Sequence, residues 1–127
     1  MPRADVGYFQ EDKKSVPVLD WLRKLQQRDR RAYAKCVARI QRLAQEGHAL
    51  RRPEADYLRD GIYELRARQG RVNYRILYFF HGQNVVILAH GLTKEDEVPN
   101  AEIERALRRK EAFEQNPKLY LYEETDG

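Results

Sequence analysis

Two consecutive stretches of alternating apolar and polar residues constrain the fold more than any other feature. Residues 61–80 read GIYELRARQGRVNYRILYFF, with turn residues near the middle. Alternation over such lengths is typical of β-strands, and a short glycine-containing connection between them is typical of a hairpin. The sequence therefore predicts strands at about 61–68 and 71–80 that pair antiparallel through a turn at Gln69-Gly70.

The alternation divides the side chains of this hairpin between two faces, because successive residues of a strand point to opposite sides. One face is almost wholly apolar, and we expect helices to cover it. The other face collects most of the polar side chains: Glu64, Arg66, Arg68, Arg71, Asn73 and Arg75. The question raised by the sequence is why one face of a sheet carries four arginines.

The turn decides which residues of this polar face are direct neighbours. A two-residue turn at Gln69-Gly70 places Glu64 opposite Arg75. An exposed cross-strand ion pair of this kind contributes about 0.2–1 kcal/mol and is common in proteins without a functional role. The remaining arginines have no acidic neighbours in these strands: Arg66, Arg68 and Arg71. The pattern is thus compatible with an anion-binding face and with a merely solvated one.

A third strand is predicted at about 84–92, after a tight turn at Gly82-Gln83. This turn would place His90 opposite Arg75, and Lys94 just beyond the end of the strand. Histidine titrates nearest to neutral pH, so His90 is the candidate proton donor or acceptor, although a single histidine at a strand end is more often structural.

Helical periodicity predicts three helices around this antiparallel meander. The first follows Ser15, a suitable N-cap residue, and the second runs from about 28 to 45 and ends at a glycine. The third begins near Pro99, since proline is favoured in a first turn. We expect a short first strand at 5–10 and a loop at 48–59.

Composition limits the classes of protein to consider. A chain of 127 residues suffices for one core, so we expect a single domain over 1–127, with 115–127 as a C-terminal tail. Lys and Arg number 24 against 20 Asp and Glu, which is compatible with a polyanionic partner. No apolar run approaches the roughly 20 residues of a membrane span, so a cytoplasmic location is expected.

Cysteine and histidine usage argues against disulfide and metal chemistry. Cys36 is the one cysteine of the chain, which excludes an internal disulfide, and it lies in the apolar stripe of a predicted helix. His48, His81 and His90 lack ligand spacing. We therefore expect no metal and no cofactor.

Several motifs, in their order, resemble a known family. GIYELR, then YRILY, then an apolar strand ending in GLTK and a proline-started helix, PNAEIERA, follow one another in the second half of the chain. This order resembles the HigB-like, phage-derived branch of the RelE/ParE toxin superfamily, over nearly the whole chain. The resemblance implies an α+β fold: two N-terminal helices packed on a twisted antiparallel sheet of about four strands, with a C-terminal helix and a concave, basic second face, as in RelE.

The resemblance also implies a function and partners. Many members are toxins of type II toxin-antitoxin systems that enter the ribosomal A site and cut mRNA without a metal, and a cognate antitoxin, often of helix-turn-helix type, holds them inactive. One alternative is a non-enzymatic binder, like the ParE members that poison DNA gyrase. Another is an inactive relative that still binds nucleic acid, since Glu95, Asp96 and Glu97 follow Lys94 and would repel phosphate.

Metal-independent cleavage of RNA needs a proton acceptor, cations for the developing phosphorane charge and a donor for the leaving oxygen. Arg66 and Arg75 suit the phosphorane, because a guanidinium can hold two oxygens. Lys94 matches the family's post-strand lysine and joins His90 in the expected catalytic set, while Glu64 is expected to orient Arg75. The other polar residues of the face are expected to contact RNA: Arg68, Arg71 and Asn73.

Overall fold

The computed structural model describes residues 3–94 and 97–124, and of Lys94 only the backbone. The strands are β1 (Asp5–Phe9), β2 (Ala55–Arg59), β3 (Ile62–Gln69), β4 (Val72–His81), β5 (Val85–Lys94) and β6 (Leu121–Tyr122). The helices are α1 (Pro17–Arg28), α2 (Arg30–Glu46), α3 (Asn100–Gln115) and α4 (Pro117–Tyr120), with a short 3-10 helix at Gly47–Ala49. No helix in these ranges is long and apolar enough to cross a membrane.

The sheet differs from the expected one in size and in strand direction. It is a mixed sheet of six strands in the order β2-β3-β4-β5-β1-β6, so the expectation of about four antiparallel strands is wrong. β1 runs parallel to β5, while the pairings within β2-β3-β4-β5 are antiparallel. The two additional strands come from segments expected to be a loop, which forms β2, and a tail, which forms β6.

β2 exists because the chain turns sharply at Asp60-Gly61. Both residues have positive φ, 52° and 84°, and Arg59 pairs directly with Ile62 across them. A two-residue turn with two positive φ angles favours Asp-Gly, and it matches the twist of the paired strands. The prediction of a loop at 48–59 is therefore wrong for residues 55–59, which form the edge strand of the sheet.

α1 and α2 cover the face of the sheet that the alternation predicts to be apolar. Their buried residues and those of the strands form one core: Val18, Leu22, Leu25, Ala32, Cys36, Leu43, Leu65, Tyr74, Ile76, Tyr78, Val86 and Leu88. Asp29 separates the helices and caps α2, accepting hydrogen bonds from the backbone N of Arg31 and Ala32, both at 3.1 Å. α1 begins without a side-chain cap, so the predicted cap by Ser15 is wrong.

α3 covers much of the second face of the sheet. Its buried residues, Ile103, Ala106 and Phe113, pack in a second core against residues of the central strands: Ile62, Leu77, Phe79, Ile87, Ala89 and Leu92. The C-terminal helix is thus present but is not packed as expected, since it lies on the face that was to remain open. Large apolar side chains at the centre of that face explain this packing, because burying each stabilises the fold by about 1.5–3 kcal/mol.

The register of the first hairpin is shifted by two residues from the expected one. Arg66 pairs with Arg75, and Glu64 pairs with Leu77. The turn residues are therefore Gly70-Arg71 rather than Gln69-Gly70. A shift of two residues keeps every side chain on its face, because strand alternation has a period of two. Arg66, Arg68 and Arg75 consequently remain together on the second face, whereas Arg71 lies in the turn.

The register of the second hairpin is also different from the expected one. His81 pairs with Val85, so the loop holds three residues instead of two, and the register shifts again between Leu77 and Tyr78. The longer loop places Ile87 and Ala89 on the second face, and the register shift brings His90 to that face as well. His90 stands opposite Leu77, so the predicted pairing of His90 with Arg75 is wrong.

The contact between α1 and β5 leads to a stability prediction. A Cβ added at Gly91 would lie 2.4 Å from Cδ2 of Trp21, which is closer than any tolerated contact. Gly91→Ala should therefore lower the free energy of unfolding by about 1–3 kcal/mol, measured by urea denaturation. Thr93→Ala, at an exposed position of the same strand, is the control and should change it by less than about 0.5 kcal/mol. Equal stability of the two variants would contradict this packing.

Candidate anion-binding site

An open cavity of about 490 Å³ lies on the part of the second face that α3 leaves uncovered, next to the β2 edge of the sheet. Four arginines and three carboxylates line it: Arg52, Arg59, Arg66, Arg75, Asp56, Glu64 and Glu97. Leu58, Val98 and Ile103 form its apolar part. This volume is typical of pockets that bind small molecules.

A buried ion pair forms the inner wall of this cavity. Glu64 and Arg75 are 5% and 7% exposed, and Nη1 of Arg75 donates a hydrogen bond of 2.5 Å to Oε1 of Glu64. Nε of Arg66 lies 3.4 Å from the same oxygen. The carboxylate of Glu64 therefore contacts two guanidinium groups. We call Glu64, Arg66 and Arg75 the Glu64 cluster. The cluster has an excess of positive charge that a bound anion would neutralise.

Arg75 has a donor that is not used within the protein. Its Nε is the only buried side-chain nitrogen or oxygen without a hydrogen-bond partner in residues 3–94 and 97–124. A buried donor without an acceptor costs about 1–3 kcal/mol. Arg75 lines the cavity, although its Nε is itself buried.

α2 holds the β3 end of the cluster in place. Nε of Arg39 donates to the backbone O of Arg66 at 2.9 Å, and Nε of Arg42 donates to Glu54 at 3.0 Å. The backbone O of Glu54 accepts from the N of Arg66 at 2.8 Å. Hydrogen bonding from Arg42 lowers the pKa of the Glu54 carboxyl, which stays charged. Arg66 is thus positioned by its backbone, while its side chain remains about one-third exposed.

β2 and the turn before it contribute cavity residues that the sequence did not predict. Arg52 and Asp56 form an ion pair of 2.7 Å, and hydrogen bonding from Arg52 lowers the pKa of the Asp56 carboxyl. Arg59 lies 2.7 Å from Asp60 and donates to Oδ1 of Asn100 at the start of α3. The Asp-Gly pair at 60–61 was the available signal for this strand, because it is among the strongest short-range indications of a hairpin.

The structure does not bring His90 to the Glu64 cluster. His90 lies on the second face under α3, where its Nε2 contacts the Glu102 carboxylate and its Nδ1 lies 3.3 Å from Nη1 of Arg109. Burial lowers the pKa of His90, although Glu102 opposes this shift. His90 is not among the residues that line the cavity.

The remaining predicted residues lie around the turn of the first hairpin and do not line the cavity. Arg68 is exposed and donates to the backbone O of Gly70 at 3.0 Å, and Arg71 is exposed in the turn. Asn73 is half-buried and pairs with Arg68 on one side and with Lys94, the last residue of β5, on the other. The Lys94 side chain and Glu95-Asp96 lie outside the described residues.

The described ranges contain no group of three or more His, Cys, Asp or Glu that could hold a metal ion. The site is therefore best described by its charges: two arginines on neighbouring strands, one shared carboxylate and an open, basic cavity. Such an arrangement can bind an anion and stabilise negative charge that develops on it.

These features define a small protein with a mixed sheet between helices and an open cavity lined by arginines. The family described as Phage derived protein Gp49-like (DUF891) matches residues 20–111, which include the first four strands of the sheet order and about three-quarters of α3. The chain belongs to this phage-derived, toxin-like family. No curated protein matches the chain.

The Glu64 cluster predicts a strong coupling between its charges. Glu64→Gln would leave the buried Arg75 without its carboxylate and should cost about 3 kcal/mol or more in unfolding free energy. Arg75→Gln should be similarly costly, whereas the double variant should lose clearly less than the sum of the two, as measured by a urea double-mutant cycle. Additive losses would show that the two side chains do not interact.

The packing of His90 predicts a pH dependence. Its pKa is lower in the folded protein than the usual value of 6.5, so acidification protonates it more readily in the unfolded chain. Neutral His90 therefore contributes to the free energy of unfolding. This contribution is complete at pH values above the pKa of His90 in the unfolded chain, near 6.5, and it is lost as the pH falls from there through the lower pKa of His90 in the folded protein. His90→Gln should therefore flatten the decrease of unfolding free energy between about pH 7.5 and 5.5, measured by urea denaturation at each pH. A steeper decrease in the variant would contradict this sign.

Proposed function

We propose that this protein is the toxin of a type II toxin-antitoxin system, of the HigB-like kind, and that it inhibits translation by cutting mRNA on the ribosome. The observation that carries the proposal is the pairing of Arg66 with Arg75 at an open basic cavity, where they share one carboxylate. Membership of a phage-derived, toxin-like family supports the same function.

The geometry suits the charge that RNA cleavage develops. Attack of a 2′-OH on the neighbouring phosphate forms a phosphorane with more negative charge than the substrate carries. Arg66 is exposed enough to contact a phosphate, and the buried Arg75 is held in one orientation by Glu64. Preorganised donors of this kind stabilise the transition state more than the substrate, because they need no reorientation during the reaction. Glu64 then acts as a positioning residue.

We assign proton transfer in this reaction to residues near the end of β5. His90 is packed under α3, and the pKa of Asp56 is lowered by its ion pair with Arg52, so neither suits the task. Glu97 lines the cavity and is exposed, and Lys94 is the residue at which β5 ends. Under this proposal Glu97 accepts the 2′-OH proton and Lys94 donates to the leaving 5′-oxygen.

The packing of His90 also favours a second candidate function. In the described part of the chain no histidine lines the cavity, so the site lacks a group with an ordinary pKa close to neutral. A protein that binds a polyanion or a protein target without cleaving it needs no such group. The alternative is therefore a non-enzymatic toxin that acts by occupancy, like the ParE members that poison DNA gyrase.

The proposal includes two partners besides mRNA. The ribosome would present the mRNA in its A site, and a cognate antitoxin of helix-turn-helix type would keep the toxin inactive until it is degraded. A small helix-turn-helix reading frame next to the gene of this protein would support this part of the proposal.

Arg66 provides the test of the proposed activity. Expression of the chain without an antitoxin should arrest growth, and Arg66→Ala should lower mRNA cleavage by about 10²–10³-fold and relieve the arrest, because one charge-stabilising donor is lost. Arg66→Lys should restore only part of the activity, since an ammonium cannot hold two phosphate oxygens. Arg23→Ala is the matched control, because Arg23 is an exposed arginine of α1 on the opposite side of the sheet.

Primer extension on cellular mRNA separates the two candidate functions. Cuts spaced by codons that disappear in Arg66→Ala support the nuclease, whereas DNA damage with intact mRNA supports the gyrase poison. A wild-type chain that accumulates in folded form and leaves growth unaffected would refute both.

A further inference from the structure

A second concentration of arginines lies on the other side of α3 from the cavity described above. Here residues of α3 and residues at the end of β1 line a smaller, open cavity of about 360 Å³. Arg105, Arg108 and Arg109 line it, and we call these three residues the α3 arginine surface. Phe9, Glu11 and Ala112 complete the lining, so the cavity has a single carboxylate.

Arg109 is fixed and forms the base of this surface. Its Nη1 donates to the backbone O of Ala89 at 2.6 Å, and its Nη2 donates to Glu11 at 3.1 Å. Its guanidinium carbon lies 5.8 Å from the ring centre of Phe9. The side chain is only 14% exposed, so the one carboxylate of the cavity is already engaged by a buried charge.

Arg105 and Arg108 provide the exposed part of the surface. They lie three residues apart on α3, so they are neighbours on the helix surface. Within the described ranges neither forms an ion pair. Burial lowers the pKa of Arg109, the Glu11 carboxylate raises it, and the nearby charge of Arg105 lowers it, as the repulsion between two neighbouring cations requires. An anion between them would relieve this repulsion.

We propose that the α3 arginine surface binds the phosphate backbone of RNA, as a second contact beside the cavity of the Glu64 cluster. This inference rests on the proposed function, and it names a part of the RNA site that lies outside the reacting groups. The two surfaces flank one helix, whose width with side chains is roughly 10–12 Å. A few nucleotides span this distance, so one RNA strand that crosses α3 can contact both surfaces.

RNA binding can be measured without ribosomes or cleavage. The probe is a short fluorescein-labelled RNA with 2′-O-methyl groups, which remove the nucleophile, and fluorescence anisotropy is recorded over a series of salt concentrations. The variant Arg105→Ala/Arg108→Ala removes the exposed part of the surface. The control Arg23→Ala/Lys24→Ala removes the same charge from exposed positions of α1, on the opposite face of the sheet. Circular dichroism checks that each variant is folded.

The slope of log affinity against log salt reports the number of phosphate contacts. Loss of two contacts should reduce its magnitude by about 1.4, since each contact on a single strand contributes about 0.7. The control should leave the slope close to that of the wild type. The inference is overturned if the α3 variant and the control have the same slope and affinity, or if the wild-type chain does not bind the RNA. These results would also be expected if the surface binds an acidic protein instead of RNA.

The two proposals fail in different measurements. Arg66→Ala in the growth and primer-extension assays tests the proposed function. The salt slope of Arg105→Ala/Arg108→Ala tests the second contact. Loss of arrest in Arg66→Ala together with an unchanged slope in the α3 variant would leave the toxin function standing without this RNA contact.

Discussion

Glu64 and Arg75 are joined by a hydrogen bond of 2.5 Å inside the sheet, and both side chains are almost completely buried. Two charges removed from water need each other, because a single buried charge would cost several kcal/mol. Their pairing allows a polar region to exist on a sheet face that is otherwise apolar. It also orients Arg75 toward Arg66 and the open cavity. The candidate site and its positive charge therefore depend on this ion pair.

α3 determines how the rest of this face is used. It packs on the apolar centre of the face, formed by residues such as Leu77 and Phe79, and leaves the polar part near β2 uncovered. It also covers His90, which becomes part of a partly buried polar group with Glu102 and Arg109. The helix thus divides the second face into the cavity of the Glu64 cluster on one side and the α3 arginine surface on the other. This division is the structural basis of both proposals.

The sequence was sufficient to predict which hairpin residues share a face. Alternation with a period of two places Arg66 and Arg75 together in every register that differs by an even number of residues, and the observed shift of two residues therefore changes neighbours but not faces. The helices on the first face followed from apolar spacing in the same way. The Asp60-Gly61 turn also indicates the edge strand β2, which carries the cavity residue Arg59, whereas Arg52 lies in the turn before that strand.

Local sequence patterns determined which side chains of β3 and β4 share a face, where the main helices lie and how the arginines are grouped. These properties depend on side chains that are close in sequence. Only the tertiary structure decided three other features: the parallel pairing of β1 with β5, the packing of His90 under α3 and the position of α3. These features depend on which distant apolar surfaces bury each other, and on a three-residue loop and a register shift that alternation does not reveal. The location of the cavity follows from that long-range packing.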